Sequence, residues 1–316
     1  MRYSNSFGKK SSKILLGTAY FGDTISPEES FKIMDTFVEN GGSHIDTARL
    51  YADGEAEKVI GAWLKSRRHE GIFLSTKGAF PDKATPTVMR LHENEIRYDL
   101  ELSLKALDID CIEFYWLHRD DETIPAGEII ETMNKLVKEG KIRHFGASNW
   151  KHNRVAEGIA YAKEHGLQPF ESSQIRFSPA IVSPYGNADR SLVDMTAEAF
   201  KYYKAAGIPV AAYASQAKGF FSKMAETGVD ALNQKSRERY LCKENLSRLE
   251  FVKKYAKKYE TSVASIVCAA LSSIPCVDVF PIIGGSRPEQ IKDSMSGADI
   301  VLQRDELEKL FKFSML

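Results

Sequence analysis

The chain has 316 residues, 43% hydrophobic and 27% charged, with 43 basic and 43 acidic side chains and a formal net charge of zero. That balance excludes disordered and membrane-embedded compositions, and it lacks the basic excess expected of a nucleic-acid binder. Four cysteines without C-x-x-C spacing point to reduced thiols rather than a disulfide framework or a metal site, so no metal is expected.

The first residues, "MRYSNSFGKKSSKILLG", carry no apolar signal-peptide core, and no window holds the ~18 consecutive apolar residues of a spanning helix. A cytoplasmic protein is expected. Short apolar runs predict strands at 13–18, 43–46, 72–76, 111–118, 142–148, 170–175, 208–213 and 279–284. Amphipathic stretches predict helices at 26–41, 54–67, 87–107, 125–139, 151–165, 190–206, 246–272 and 288–296. "SPEE" (26–29) and "SRPE" (286–289) read as capping boxes, while the glycines of "ENGG" and "KEGK" read as helix stops. The basic runs "KSRRHE" (65–70) and "KKYAKKYE" (253–260) read as solvated helix faces.

Eight strands alternating with eight helices imply parallel β/α units, closed either as an open doubly wound sheet or as an eight-fold barrel. The G-x-G-x-x-G fingerprint of the nucleotide-binding open sheet is missing after "KILLGT", which favours a (β/α)8 TIM barrel spanning 1–316 as one domain. Residues 1–12 suggest a short hairpin over the barrel bottom, and 214–245 a long loop after the seventh strand.

Barrel enzymes build their sites at the C-terminal ends of the strands. Those ends supply Asp46 with Tyr51 in the following loop, Lys77 after "LST", His118 after "FYWL", Ser148 and Asn149, and Gln174. Each has an ordinary alternative: a surface lysine, a packed histidine or a capping aspartate. Their convergence on one rim is what those alternatives leave unexplained.

"SHIDTARLYADGEAEKVIGAWL", "LSTKG", "WLHRD", "RHFGASNW", "SSQIRFS" and "FPIIGGSRPEQI" together resemble the successive signatures of the aldo-keto reductases, in order, from about residue 13 to 296. The resemblance implies an NADPH-dependent carbonyl reductase with a tetrad of Asp46, Tyr51, Lys77 and His118. The residue types suit that chemistry. A phenol ordinarily holds its proton to about pH 10, and a neighbouring ammonium makes the phenolate easier to reach. Asp46 would keep Lys77 charged, and His118 would donate to the substrate oxygen.

The same resemblance places Ser148, Asn149 and Gln174 on the nicotinamide carboxamide, Tyr213 on its ring, and Gly17 and Thr18 beside the cofactor. Gly284, Ser286, Arg287 and Gln290 follow the last strand, where barrels often bind phosphate, and a guanidinium there favours NADP over NAD. Where many relatives carry a Pro-Leu-Gly-Arg-Gly type of run, this chain reads "ASQAKGFF" after Tyr213, with Lys218 keeping a cation for the pyrophosphate; Ser294 replaces a common asparagine. Tyr20, Phe21, Trp116 and Arg119 are expected to line the mouth for a small-molecule carbonyl substrate, a sugar or glycoside carbonyl among the options. Two other readings exist: a cofactor-binding auxiliary subunit of the potassium-channel beta type, and an unrelated barrel lyase using Lys77 as a Schiff base. Nothing in the sequence fixes an oligomeric state.

Overall fold

In the computed structural model, residues 1–67, 71–183 and 189–311 are described; the last three residues of "KSRRHE", 68–70, lie outside them. Eight parallel strands close into a barrel: β3 (Leu15–Gly17), β4 (His44–Asp46), β5 (Phe73–Gly78), β6 (Ile112–Leu117), β7 (Ile142–Ser148), β8 (Ser173–Arg176), β9 (Val210–Tyr213) and β10 (Val279–Ile283), with β10 returning to pair with β3. All eight predicted strands form.

Period-two alternation sorts each strand between two cores. Phe73, Phe114, Trp116, Ala211 and Phe280 turn into the barrel, where they pack with Leu15. Their neighbours Leu74, Tyr115 and Leu117 turn outward into the larger core beneath the helices. Gly146 is small for a reason: a Cβ there would sit 2.7 Å from the Trp116 ring and 2.5 Å from the Ser172 carbonyl.

The expected hairpin is present as β1 (Tyr3–Ser4) and β2 (Ser11–Ser12), paired antiparallel. Phe7 at its turn is fully buried and enters the barrel floor, with ring centroids 4.6 Å from Phe280 and 5.3 Å from Phe114. Arg2 holds the hairpin to the far end of the chain by donating to the carbonyls of Ser272, Ala298 and Ile300.

The helices are α1 (Pro27–Glu39), α2 (Glu55–Arg67), α3 (Glu93–Leu107), α4 (Ala126–Lys138), α5 (His152–His165), α6 (Ala197–Ala206), α7 (Phe220–Glu226), α8 (Gln234–Tyr240), α9 (Lys243–Lys258), α10 (Val263–Ser272), α11 (Pro288–Ser296) and α12 (Arg304–Leu310). Ser26 caps α1 as expected, accepting from Glu29 N at 3.2 Å. The second predicted box is different. Arg287, not Ser286, is the cap residue of α11, and no side chain caps that end.

Three helix predictions need correction. The helix expected from 87 begins at Glu93, where Glu95 accepts from the His92 amide. The one expected from 190 begins at Ala197, where the Thr196 hydroxyl accepts from Ala199 N. The single helix expected over 246–272 is two: Glu260 takes a left-handed φ of 49°, and Ser262 caps α10. The region 214–245, expected as a long loop, contains α7 and α8 and the start of α9. Among the described residues no helix is long and apolar enough to cross a membrane.

Candidate active site

The C-terminal ends of β4 and β5 bring a buried ion pair to the mouth. Lys77 Nζ lies 2.5 Å from Asp46 Oδ2 and donates to the Thr47 carbonyl at 2.7 Å; both side chains are at most 3% exposed. Tyr51 follows in a 3-10 turn (Tyr51–Gly54) whose Ala52 and Asp53 adopt left-handed φ values. That tight turn folds the half-buried phenol back, so that its ring lies 4.8 Å from Lys77 Nζ. Burial alone would weaken the hold of Lys77 on its proton. The charges and hydrogen bonding of Asp46 and Tyr51 outweigh it and hold the ammonium above its ordinary range. With Nζ engaged by Asp46 and the Thr47 carbonyl, Lys77 does not present a free amine, which counts against the Schiff-base reading.

Asp46 Oδ1 also accepts from Ser75 Oγ at 2.8 Å and from Gln174 Nε2 at 3.0 Å. Ser75 in turn lies 3.0 Å from His44 Nε2. Neither Ser75 nor His44 was singled out in the sequence. The available signal was period-two alternation, which puts both on the inner face with Lys77 and Asp46.

His118 joins the site from the end of β6, its ring 6.0 Å from that of Tyr51 and nearly perpendicular to it. Burial, with the cations of Lys77, Arg119 and Arg49, holds its imidazole well below the ordinary range, so it is neutral at physiological pH. Asp46, Tyr51, Lys77 and His118 thus gather at one rim.

The mouth differs from expectation in two of its aromatics. Tyr20 is 55% exposed, but Phe21 and Trp116 are at most 1% exposed. Phe21 bridges Ile25 in a tight turn and faces the helix-side core, and Trp116 lies two residues below His118, inside the barrel. Phe80, which the sequence reading missed, takes their place. Its ring is 5.0 Å from His118 and 4.6 Å from the Arg119 guanidinium. It lies three positions past Lys77, and its loop conformation hid it. Arg119 is largely buried, donating to Ser191 Oγ at 2.8 Å and to the His118 carbonyl.

Ser148 ends β7, and Asn149 follows it in a left-handed conformation. Tyr213 donates its hydroxyl to Asn149 Oδ1 at 2.6 Å. Thr18 is fully buried and donates to the Asp46 carbonyl, tying β3 to β4. Gly284 borders open space, since a Cβ there would meet only the Gly17 carbonyl, at 3.8 Å, whereas a Cβ on Gly17 would sit 2.8 Å from the Ile282 side chain. Ser286 donates its amide to Gln290 Oε1 at 2.8 Å, so a carbonyl oxygen stands where an anionic oxygen could. Arg287 is exposed, and its guanidinium has no partner among the described residues. Lys218 sits on a left-handed turn with Ala217 and Gly219; partial burial and the cations Arg239, Lys235 and Lys223 lower its affinity for a proton. Gln216 Nε2 donates to Ser294 Oγ at 2.9 Å, so these two departures from the usual pattern contact each other. Open space at Gly284, a guanidinium without a partner among the described residues and a cationic turn fit an anionic dinucleotide.

A norsolorinic acid reductase of Aspergillus flavus is 28% identical over 97% of this chain and 79% of its own length. An aryl-alcohol dehydrogenase of Pestalotiopsis microspora is 26% identical over 94% of this chain and 76% of its own. An uncharacterised oxidoreductase of Bacillus subtilis, YrpG, is 29% identical, covering 98% and 94%. Among solved structures, a thermostable aldo-keto reductase in complex with epalrestat superposes with a TM-score of 0.74 at 23% identity, covering 98% of both chains. An aldo/keto reductase from Klebsiella pneumoniae in complex with NADP and acetate has a TM-score of 0.72 at 23% identity, covering 99% of this chain and 95% of that one. The family model for the aldo/keto reductases matches residues 13–314, and with the closed barrel beneath it this chain is an enzyme of the aldo/keto reductase family.

Proposed function

We propose that the chain reduces an aldehyde or ketone to the alcohol with NADPH, Tyr51 delivering the proton. The observation that carries this is the buried Lys77 ammonium, fixed by Asp46 and lying against the Tyr51 ring. When bound, the nicotinamide cofactor supplies the hydride. Tyr51 gives its proton to the substrate oxygen, and Lys77 stabilises the phenolate left behind. Neutral His118 donates to that oxygen. Its Nδ1 is buried without a partner among the described residues, which favours the tautomer carrying the N–H on Nε2. Ser148, Asn149 and Gln174 would hold the carboxamide, and Tyr213 the ring face. Lys218 would meet the pyrophosphate, Ser286 and Arg287 the 2′-phosphate, and Gln290 the adenosine end.

Phe80 and Tyr20 at the mouth, beside relatives named for norsolorinic acid and aryl alcohols, support an aromatic carbonyl as substrate class. The test is Tyr51→Phe, assayed as NADPH oxidation with 4-nitrobenzaldehyde, alongside NADPH binding by fluorescence quenching. Loss of a positioned general acid costs about 10²–10⁴ in rate. We expect that loss with binding unchanged; a variant keeping more than about a tenth of kcat would require another proton donor.

A further inference from the structure

The tetrad stands on a second row of polar groups inside the barrel. Asp46 has two oxygens with different surroundings: Oδ2 faces Lys77, while Oδ1 accepts from Ser75 at 2.8 Å and Gln174 at 3.0 Å. Gln174 is a candidate for the cofactor. Ser75 is not: it is fully buried, and its other contact is the fully buried His44, whose ring packs edge-on against the Phe7 plug, centroids 5.0 Å apart.

The direction of this chain follows from chemistry. Asp46 as a carboxylate can only accept, so Ser75 donates its single hydroxyl proton to it. The Ser75 oxygen must then accept from His44, which places the imidazole proton on Nε2. His44 Nδ1 is left buried and without a partner among the described residues, and burial together with Lys77 pushes its pKa down to about 3. His44 is therefore a fixed neutral donor, and two successive dipoles, His44 N–H and Ser75 O–H, point their positive ends at Asp46.

We propose that Ser75, aligned by His44, is a positioning residue for proton transfer, drawing Asp46 Oδ1 away from Lys77 so that more of the ammonium's field reaches Tyr51. This rests on the reading of Tyr51 as the proton donor. The groups facing Tyr51 are Lys77 from β5, Asp46 behind it from β4, His118 from the end of β6, and Arg119 beyond it. Arg49 adds a cation near His118. Asp99 and Asp189 pair with Arg49 and Arg119 further out, and Glu57 bonds Thr76 on the outer side of β5, so Asp46 is the carboxylate paired with Lys77 itself, and whatever disperses its charge makes the potential at Tyr51 more positive. Removing the Ser75 hydroxyl should act in the opposite sense and make the phenolate harder to form.

The experiment is the pH dependence of kcat for 4-nitrobenzaldehyde reduction with NADPH, in wild type, Ser75→Ala, Ser75→Thr, His44→Phe and Tyr51→Phe. Folding is checked by circular dichroism and NADPH fluorescence quenching. The alkaline limb should move up by about half a pH unit or more in Ser75→Ala, the size expected from losing part of a charge-assisted hydrogen bond. Ser75→Thr, which keeps the hydroxyl, should return it toward wild type. His44→Phe keeps an aromatic ring beside Phe7 and should shift it less, in the same direction. A folded, cofactor-binding Ser75→Ala enzyme with the wild-type limb overturns the proposal, as does a shift that Ser75→Thr and Ser75→Ala share. An active Tyr51→Phe enzyme would instead overturn the proton-donor reading itself, so the two failures are distinguishable. If Ser75→Ala does not fold, the His44→Phe limb decides: no shift there also overturns the proposal.

Discussion

Lys77→Met removes one charge and keeps an unbranched apolar stem of similar reach. Asp46, 2% exposed, then loses a cation 2.5 Å away, and the Thr47 carbonyl loses its donor. Breaking one side of a buried pair costs about 3–5 kcal/mol, because the remaining charge is left without compensation. Here Ser75 and Gln174 still donate to Asp46 Oδ1, each contributing up to about 1.5–3 kcal/mol as a bond to a charged group. The cost should therefore fall at the low end, about 3 kcal/mol. The assay is urea unfolding followed by tryptophan fluorescence, or unfolding rates if refolding is incomplete. The pH window follows from the direction of the lysine's shift. Its folded-state pKa is raised, so its contribution is fully present below lysine's ordinary value of about 10.4 and is lost only as pH rises through the higher folded value. Wild type and variant should thus differ by the same amount from pH 7 to 9. A gap that closes by pH 8 would mean a neutral lysine in the fold and would refute the ion-pair reasoning.

Arg287→Ala should weaken NADPH binding about ten- to a hundred-fold and leave NADH nearly untouched, measured by fluorescence quenching, because a guanidinium–phosphate bond contributes about 1.5–3 kcal/mol. Equal weakening of both cofactors would place Arg287 elsewhere on the dinucleotide. Phe7→Ala should lower stability by about 3–5 kcal/mol through the cavity left in the barrel floor, seen as a lower thermal midpoint, while NADPH affinity at 25 °C stays at the wild-type level.

The strand order and the rim residues were legible because parallel strands read as short apolar runs and each candidate group sits where such a run stops. What stayed hidden was depth. Trp116 and His118 share a face, yet one lies inside the core and the other at the mouth, and alternation cannot separate successive layers. Phe80 and Ser75 were missed for opposite reasons: one lies in an irregular loop, and the other is a small residue whose meaning comes from Asp46 on the adjacent strand. The break between α9 and α10 was carried by one left-handed Glu260 and a Ser cap inside a continuous helical pattern, a signal weaker than the pattern around it.

The floor of the barrel is sealed by residues far apart in the chain. Phe7 meets Phe280, and Arg2 reaches the carbonyls of Ser272, Ala298 and Ile300, across 270 to 298 positions. During synthesis the hairpin emerges well before its partners on β10 and beyond. A ribosome adds about 5–20 residues per second, so Phe7 waits some tens of seconds for its cavity to exist. Until then an apolar ring and the open ends of Leu15, Phe73 and Phe114 are without their final cover. The stopper that completes the native floor is thus, in the nascent chain, an early exposed liability, and its burial marks the moment the barrel has closed.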